Sequence, residues 1–123
     1  MTPLPDDALV VRGGQNLPAS FAQGSGVVVG ADDKVQDVSV NSAPGLTLAQ
    51  LTAGDLGTGY PGIPHNQIGI TTVGAIRAAG GDALPRQTRT NPNHAVIGGI
   101  TAKEASRLFR PTVRNPHRPR TSG

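Results

Sequence analysis

The chain has 123 residues, 36% of them hydrophobic, with no apolar run long enough to cross a bilayer, which points to one soluble domain and away from a membrane-spanning protein. With no Cys, neither a disulfide framework nor a thiolate metal site can form, and with two Phe, one Tyr and no Trp the core has to come from Val, Ile, Leu and Ala. The net charge of +3 is unevenly placed: residues 1–102 carry five Lys/Arg against seven Asp and residues 103–123 carry six Lys/Arg against one Glu, which excludes a uniformly basic nucleic-acid-binding body.

Seventeen Gly and eleven Pro favour many short elements joined by tight turns, so the expected fold is α+β: a small, twisted, mostly antiparallel sheet with short flanking helices. The start, MTPLPDDALVV, has acids where a signal peptide needs basic residues, so export by the general secretory route is not expected. Ala8–Arg12 reads as a first strand. Asn16–Gly24 reads as a helix of about two turns with an Asn cap, Pro in the first turn and Gly at the end. Gly26–Val29 and Val35–Asn41 flank a turn-rich Gly30–Lys34 and read as an antiparallel hairpin, in which alternation puts Val38 and Val40 on one face and Asp37, Ser39 and Asn41 on the other.

Thr47 and Gln50 have capping-box spacing, so a short helix runs over 47–53. Residues 54–66, GDLGTGYPGIPHN, form a long loop whose bulky polar groups are Tyr60 and His65; at that length it is functional or disordered. Gln67–Thr71 is a strand, Thr72 caps a helix over 73–79, and Asp82–Pro85 is a short extended piece. Asn91-Pro92-Asn93 is a turn leading into the strand His94–Ile97, after which Thr101 and Glu104 form a second capping box on a helix with Ala102, Ala105, Leu108 and Phe109 on its apolar stripe. The organisation is therefore a compact domain over 1–109 followed by a basic, Pro- and Arg-rich tail over 110–123, expected to be extended or disordered because it has too few apolar residues to pack.

No phosphate loop, HxxxH pair, GxSxG elbow or dinucleotide fingerprint occurs, and His65, His94 and His117 lie too far apart in sequence for a usual metal-ligand spacing, so no metal site is expected. Chemistry is left to polar residues at strand ends. Arg12, Ser39 and His94 are the candidate catalytic residues: Arg offers a planar fork for phosphate, and His can move a proton near neutral pH. Asn41, Thr71 and Thr72 supply amide and hydroxyl groups able to orient a sugar or carboxamide, and are the candidate cofactor-binding set. Glu104, the single Glu, is assigned to capping rather than to acid–base work.

Three blocks, LVVRG at Leu9–Gly13, DVSVN at Asp37–Asn41 and NHAVIGGITAKEASRLF at Asn93–Phe109, together resemble small bacterial toxins with an ADP-ribosyltransferase-like fold. Such proteins begin with a strand ending in Arg, continue with a strand carrying a central Ser, and close with a His-containing strand followed by a helix ending in an aromatic residue. The resemblance implies NAD as the cofactor, with Arg12 toward its phosphates and Ser39 supporting the nicotinamide ribose. It also implies cytoplasmic action, in the producing cell or in one to which the protein is delivered. Many members carry a catalytic Glu near a late strand, and this chain has only Glu104, inside a helix; His94 is then the group left to orient a ribose hydroxyl or the substrate.

Two alternatives stand beside it. One is a metal-independent ribonuclease in which His94 is acid or base, Arg12 stabilises the phosphorane-like charge and the tail holds RNA. The other is a non-enzymatic interaction module whose tail docks on an acidic partner. The expected partners are a cognate inhibitor protein and RNA through the basic tail, with no membrane.

Overall fold

The strand Leu9–Gly13 (β1) carries two adjacent valines, Val10 and Val11, both fully buried and pointing to opposite faces, which is the pattern of a strand covered on both sides. The computed structural model describes residues 3–24 and 26–117. After β1 come Pro18–Ala22 (α1), Val28–Val29 (β2), Lys34–Gln36 (β3), Val38–Ser42 (β4), Leu48–Thr52 (α2), Gln67–Thr72 (β5), Val73–Ala78 (α3), Asp82–Pro85 (β6), His94–Gly98 (β7), Ile100–Thr101 (β8), Ala102–Phe109 (α4) and Val113–Arg114 (β9). Six strands form one antiparallel sheet in the order β6-β7-β4-β1-β5-β9, and β2-β3-β8 form a second, smaller one. The fold is α+β.

One face of the large sheet is sealed. Val10, Val38, Val40, Ala95 and Ile97 pack there with Phe21 of α1, Val73 and Ile76 of α3, Val35 and Ile100 of the small sheet, and Ala105 and Phe109 of α4. Phe21 and Phe109 meet with ring centroids 5.5 Å apart, and the C-terminal end of α4 lies so close to β5 that a Cβ on Gly69 would sit 2.6 Å from the Phe109 carbonyl oxygen. Both capping boxes form: Thr47 with Gln50 on α2, and Thr101 with Glu104 on α4. The opposite face is thinner. Val11, Leu51, Ile63 and Ile68 make a small cluster there, and α2 with the loops 54–66 and 86–93 covers only part of the sheet. That incomplete cover is what leaves room for a site.

The outer edge of β6 is closed to further strand pairing. Arg86 N–H bonds His94 O at 2.9 Å, so by antiparallel alternation Ala83 and Pro85 turn their main chains outward. Pro85 has no N–H, and Ala83 N–H donates to the Asp82 carboxylate at 2.8 Å, a bond that with Arg77 at 2.9 Å holds the Asp82 carboxyl below the usual carboxylate range.

Three expectations need correction in detail. Asn16 is not a helix cap: it has φ +56° and is fully buried, with Nδ2 donating to Arg12 O and Gly14 O, and Leu17 takes the N-cap position without a side-chain bond. The hairpin over 26–41 is divided, because Asp37 at φ +59° breaks its second strand; β3 stays with β2 in the small sheet, while β4 crosses into the large one. Residues 110–117 pack on the body rather than trailing from it. Val113–Arg114 pairs with β5, and the fully buried Asn115 donates to Ile63 O and His65 O, both at 2.9 Å. Counting apolar side chains misses this anchor because it is a carboxamide binding main-chain carbonyls. The remainder of the expected tail, 118–123, lies outside the described residues.

Candidate active site

A cavity of about 300 Å³ opens on the thinly covered face of the large sheet, where β1, β4 and β7 lie side by side. Its floor is Val11–Gly13 of β1 and Ser39–Asn41 of β4. One wall is Tyr60, Ile63, Pro64 and His65; the other is Thr88, Thr90, Asn91 and His94. Strand parity explains the floor: Val38 and Val40 point into the sealed core, so Ser39 and Asn41 point the other way, and His94, which pairs with Asn41, shares their face.

The His94 ring is oriented by the main chain. Its Nδ1 lies 2.7 Å from Arg86 O, and since a carbonyl only accepts, Nδ1 carries the proton and Nε2 is left for a ligand. The loop that supplies this carbonyl is itself held. Asn91 N–H donates to Thr88 Oγ1 at 2.9 Å, Asn93 N–H donates to Asn91 Oδ1 at 3.0 Å, and the exposed Arg86 pairs with Asp37 at 3.1 Å. Across the cavity, the His65 ring lies against the main chain of Gly13 so closely that a Cβ there would collide with it. The loop 54–66 is ordered by Asp55, whose carboxylate accepts from Gly57 N–H and Thr58 N–H and whose main chain bridges to Tyr60.

The structure brings together Ser39, Asn41 and His94 from the candidate set. It does not bring the guanidinium of Arg12. Arg12 follows Val11 in β1, so its side chain leaves the sheet on the sealed face, where it lies 4.4 Å above the Phe21 ring, donates to Ser20 O at 2.9 Å and reaches Asn16 Oδ1 at 3.3 Å. Arg12 borders the cavity, but its guanidinium is engaged on the sealed face. Burial without a carboxylate partner holds this guanidinium below its usual range, and its contacts close the end of α1. Arg12→Ala should therefore cost about 1–3 kcal/mol of stability in urea unfolding while leaving the activity of folded molecules within about twofold of wild type; a large loss of activity at unchanged stability would put the guanidinium back in the site.

Thr71 and Thr72 also lie elsewhere. Thr71 pairs with Val10, which places it on the sealed face, and the Thr72 hydroxyl accepts Ala75 N–H at 3.1 Å as the cap of α3. Glu104 is bound in its capping box, and no Asp or Glu lines the cavity. Among the described residues no group of three or more His, Asp or Glu is placed to hold a metal ion, and no helix is long and apolar enough to cross a membrane. Tyr60, His65, Thr88, Thr90 and Asn91 are cavity residues that the strand-end reasoning did not select; the length of the loop at 54–66 and its two bulky polar groups were the available signal for the first two.

His94 also borders a second, wider groove of about 970 Å³, whose lining combines apolar residues such as Leu4, Leu84 and Pro92 with Asp82, Arg86 and Gln87. His94 thus borders both a small cavity and a larger groove. No family model, curated protein or solved structure matches this chain.

Proposed function

We propose that this protein is a toxin-type ADP-ribosyltransferase that cleaves NAD between nicotinamide and ribose and passes the ADP-ribosyl group to an acceptor. The observation that supports this reading is the meeting of three distant segments, Leu9–Gly13, Val38–Asn41 and His94–Gly98, as the adjacent strands β1, β4 and β7, with Ser39, Asn41 and His94 on one face around one cavity. The cavity's hydroxyl and imidazole groups, from Ser39, Tyr60 and His94, suit the neutral nicotinamide–ribose end of NAD. A site of about 300 Å³ is at the small end for ligand pockets, so the pyrophosphate would extend to the rim, where the exposed Arg86 and Arg89 share the loop of Thr88 and Thr90.

In this reaction the bond between the sugar carbon and the nicotinamide nitrogen breaks, and its electron pair leaves with nicotinamide. An acceptor oxygen or nitrogen forms the new bond to that carbon, and its proton passes to Nε2 of His94, whose other nitrogen is held by Arg86 O. Ser39 and Tyr60 hold the ribose or carboxamide in place. An acceptor lying in the wider groove would meet the donor at His94, the residue common to both hollows. Incubation with NAD labelled in its ADP-ribose part should label acceptor protein in a bacterial extract, and the label should be lost in Ser39→Ala and His94→Ala.

One observation favours a second reading. His65 and His94 both line the cavity with no carboxylate beside them, an arrangement suited to acid–base cleavage of a phosphodiester without metal. A ribonuclease of this kind would cut RNA in the presence of a chelator, lose the activity in both His65→Ala and His94→Ala, and leave NAD intact.

A further inference from the structure

Asn41 lies on the cavity floor yet is 5% exposed, and each polar atom of its carboxamide is engaged by protein. Its Nδ2 donates to Leu51 O at 2.9 Å and to the Tyr60 hydroxyl at 3.0 Å, while its Oδ1 accepts from Asn91 Nδ2 at 2.8 Å. The orientation of both amides is fixed by chemistry. Leu51 O can only accept, so the nitrogen of Asn41 faces it; Asn93 N–H can only donate, so the oxygen of Asn91 faces that and its nitrogen faces Asn41.

We propose that Asn41 is a positioning residue that joins the two walls of the cavity, holding loop 54–66 through Tyr60 and loop 86–93 through Asn91, and that it sets the Tyr60 hydroxyl as a donor toward the ligand. The Tyr60 oxygen accepts from Asn41, and a phenol has a single proton, so that proton is left to donate into the cavity. On the other wall, Asn91 O accepts His94 N–H at 3.3 Å and Thr88 N–H at 3.1 Å, so the amide that Asn41 holds also fixes the start of β7 and the loop behind it. The cavity accordingly presents a donor at Tyr60 and, at neutral His94, an acceptor at Nε2. Both are oriented by groups that the ligand does not touch.

The ligand half of this inference rests on the NAD reading; the mechanical half does not. Loss of one neutral hydrogen bond to the ligand corresponds to about a tenfold change. Tyr60→Phe should therefore raise KM for NAD about tenfold with kcat nearly unchanged, and Asn41→Ala should raise it by at least as much. Combining the two should add less than about threefold, because one acts through the other. Tyr60→Phe with a wild-type KM, or two effects that multiply in full, would overturn the proposal, and the first of these outcomes needs no Asn41 variant to fold. If the folded wild type does not turn over NAD, the functional reading fails, and amide hydrogen exchange still reads the joint. Asn41→Ala should speed exchange in both 54–66 and 86–93, Tyr60→Phe in 54–66 only. Faster exchange in only one loop of Asn41→Ala, or unchanged exchange in Tyr60→Phe, would show that Asn41 does not join them.

Discussion

NAD turnover by His94→Ala is expected to fall about 10²- to 10⁴-fold, the range lost when a positioned acid–base group is removed, with thermal unfolding close to that of wild type. The expectation follows from three features of the ring. Its Nδ1 proton is committed to Arg86 O at 2.7 Å, its Nε2 is left for a ligand, and it is shared by the small cavity and the wider groove. The side chain is only partly buried, so its removal opens no core cavity. Turnover within threefold of wild type would take His94 out of the chemistry and leave it as a turn residue that ties β7 to the end of β6.

Phe109→Ala is expected to destabilise the fold by about 3–5 kcal/mol, the usual cost of truncating a buried aromatic. Phe109 is fully buried, ends α4, meets Phe21 in a tilted pair with ring centroids 5.5 Å apart, and presses on the main chain of β5 at Gly69. With two Phe in the chain, this pair supplies the largest side chains of the sealed core. Because the total stability of such a domain is on the order of 5–15 kcal/mol, the variant should show a strongly lowered urea midpoint and a raised unfolded fraction without denaturant. A loss below about 1 kcal/mol would mean that α4 is not the cover of this face.

The segment Asn91–Phe109 was readable from sequence because its signals are local. A turn residue, a strand-length apolar run and a capping box each act within a few positions, and all three are present in the structure. Alternation in β4 likewise placed Ser39 and Asn41 together, since parity along a strand depends on nothing distant. What local reasoning could not supply is which face of the sheet is open. Arg12 sits at a strand end as expected, yet its parity sends the guanidinium to the side that α1 covers, and only the packing of Phe21 and Phe109 decides which side that is. The same holds for Asp37, whose left-handed main chain turns one expected strand into two in different sheets, and for Asn115, whose partners lie about fifty residues away. The polar network of Asn41, Tyr60 and Asn91 is of this kind too, assembled from three loops and strands that sequence spacing does not connect.

The most direct measurement is release of nicotinamide from NAD by the purified chain, followed with label in the nicotinamide ring. Release is expected from wild type and from folded Arg12→Ala, with loss in His94→Ala and Ser39→Ala. A folded wild-type protein that leaves NAD intact, with or without a bacterial extract to supply acceptors, would contradict the assignment of this cavity to NAD.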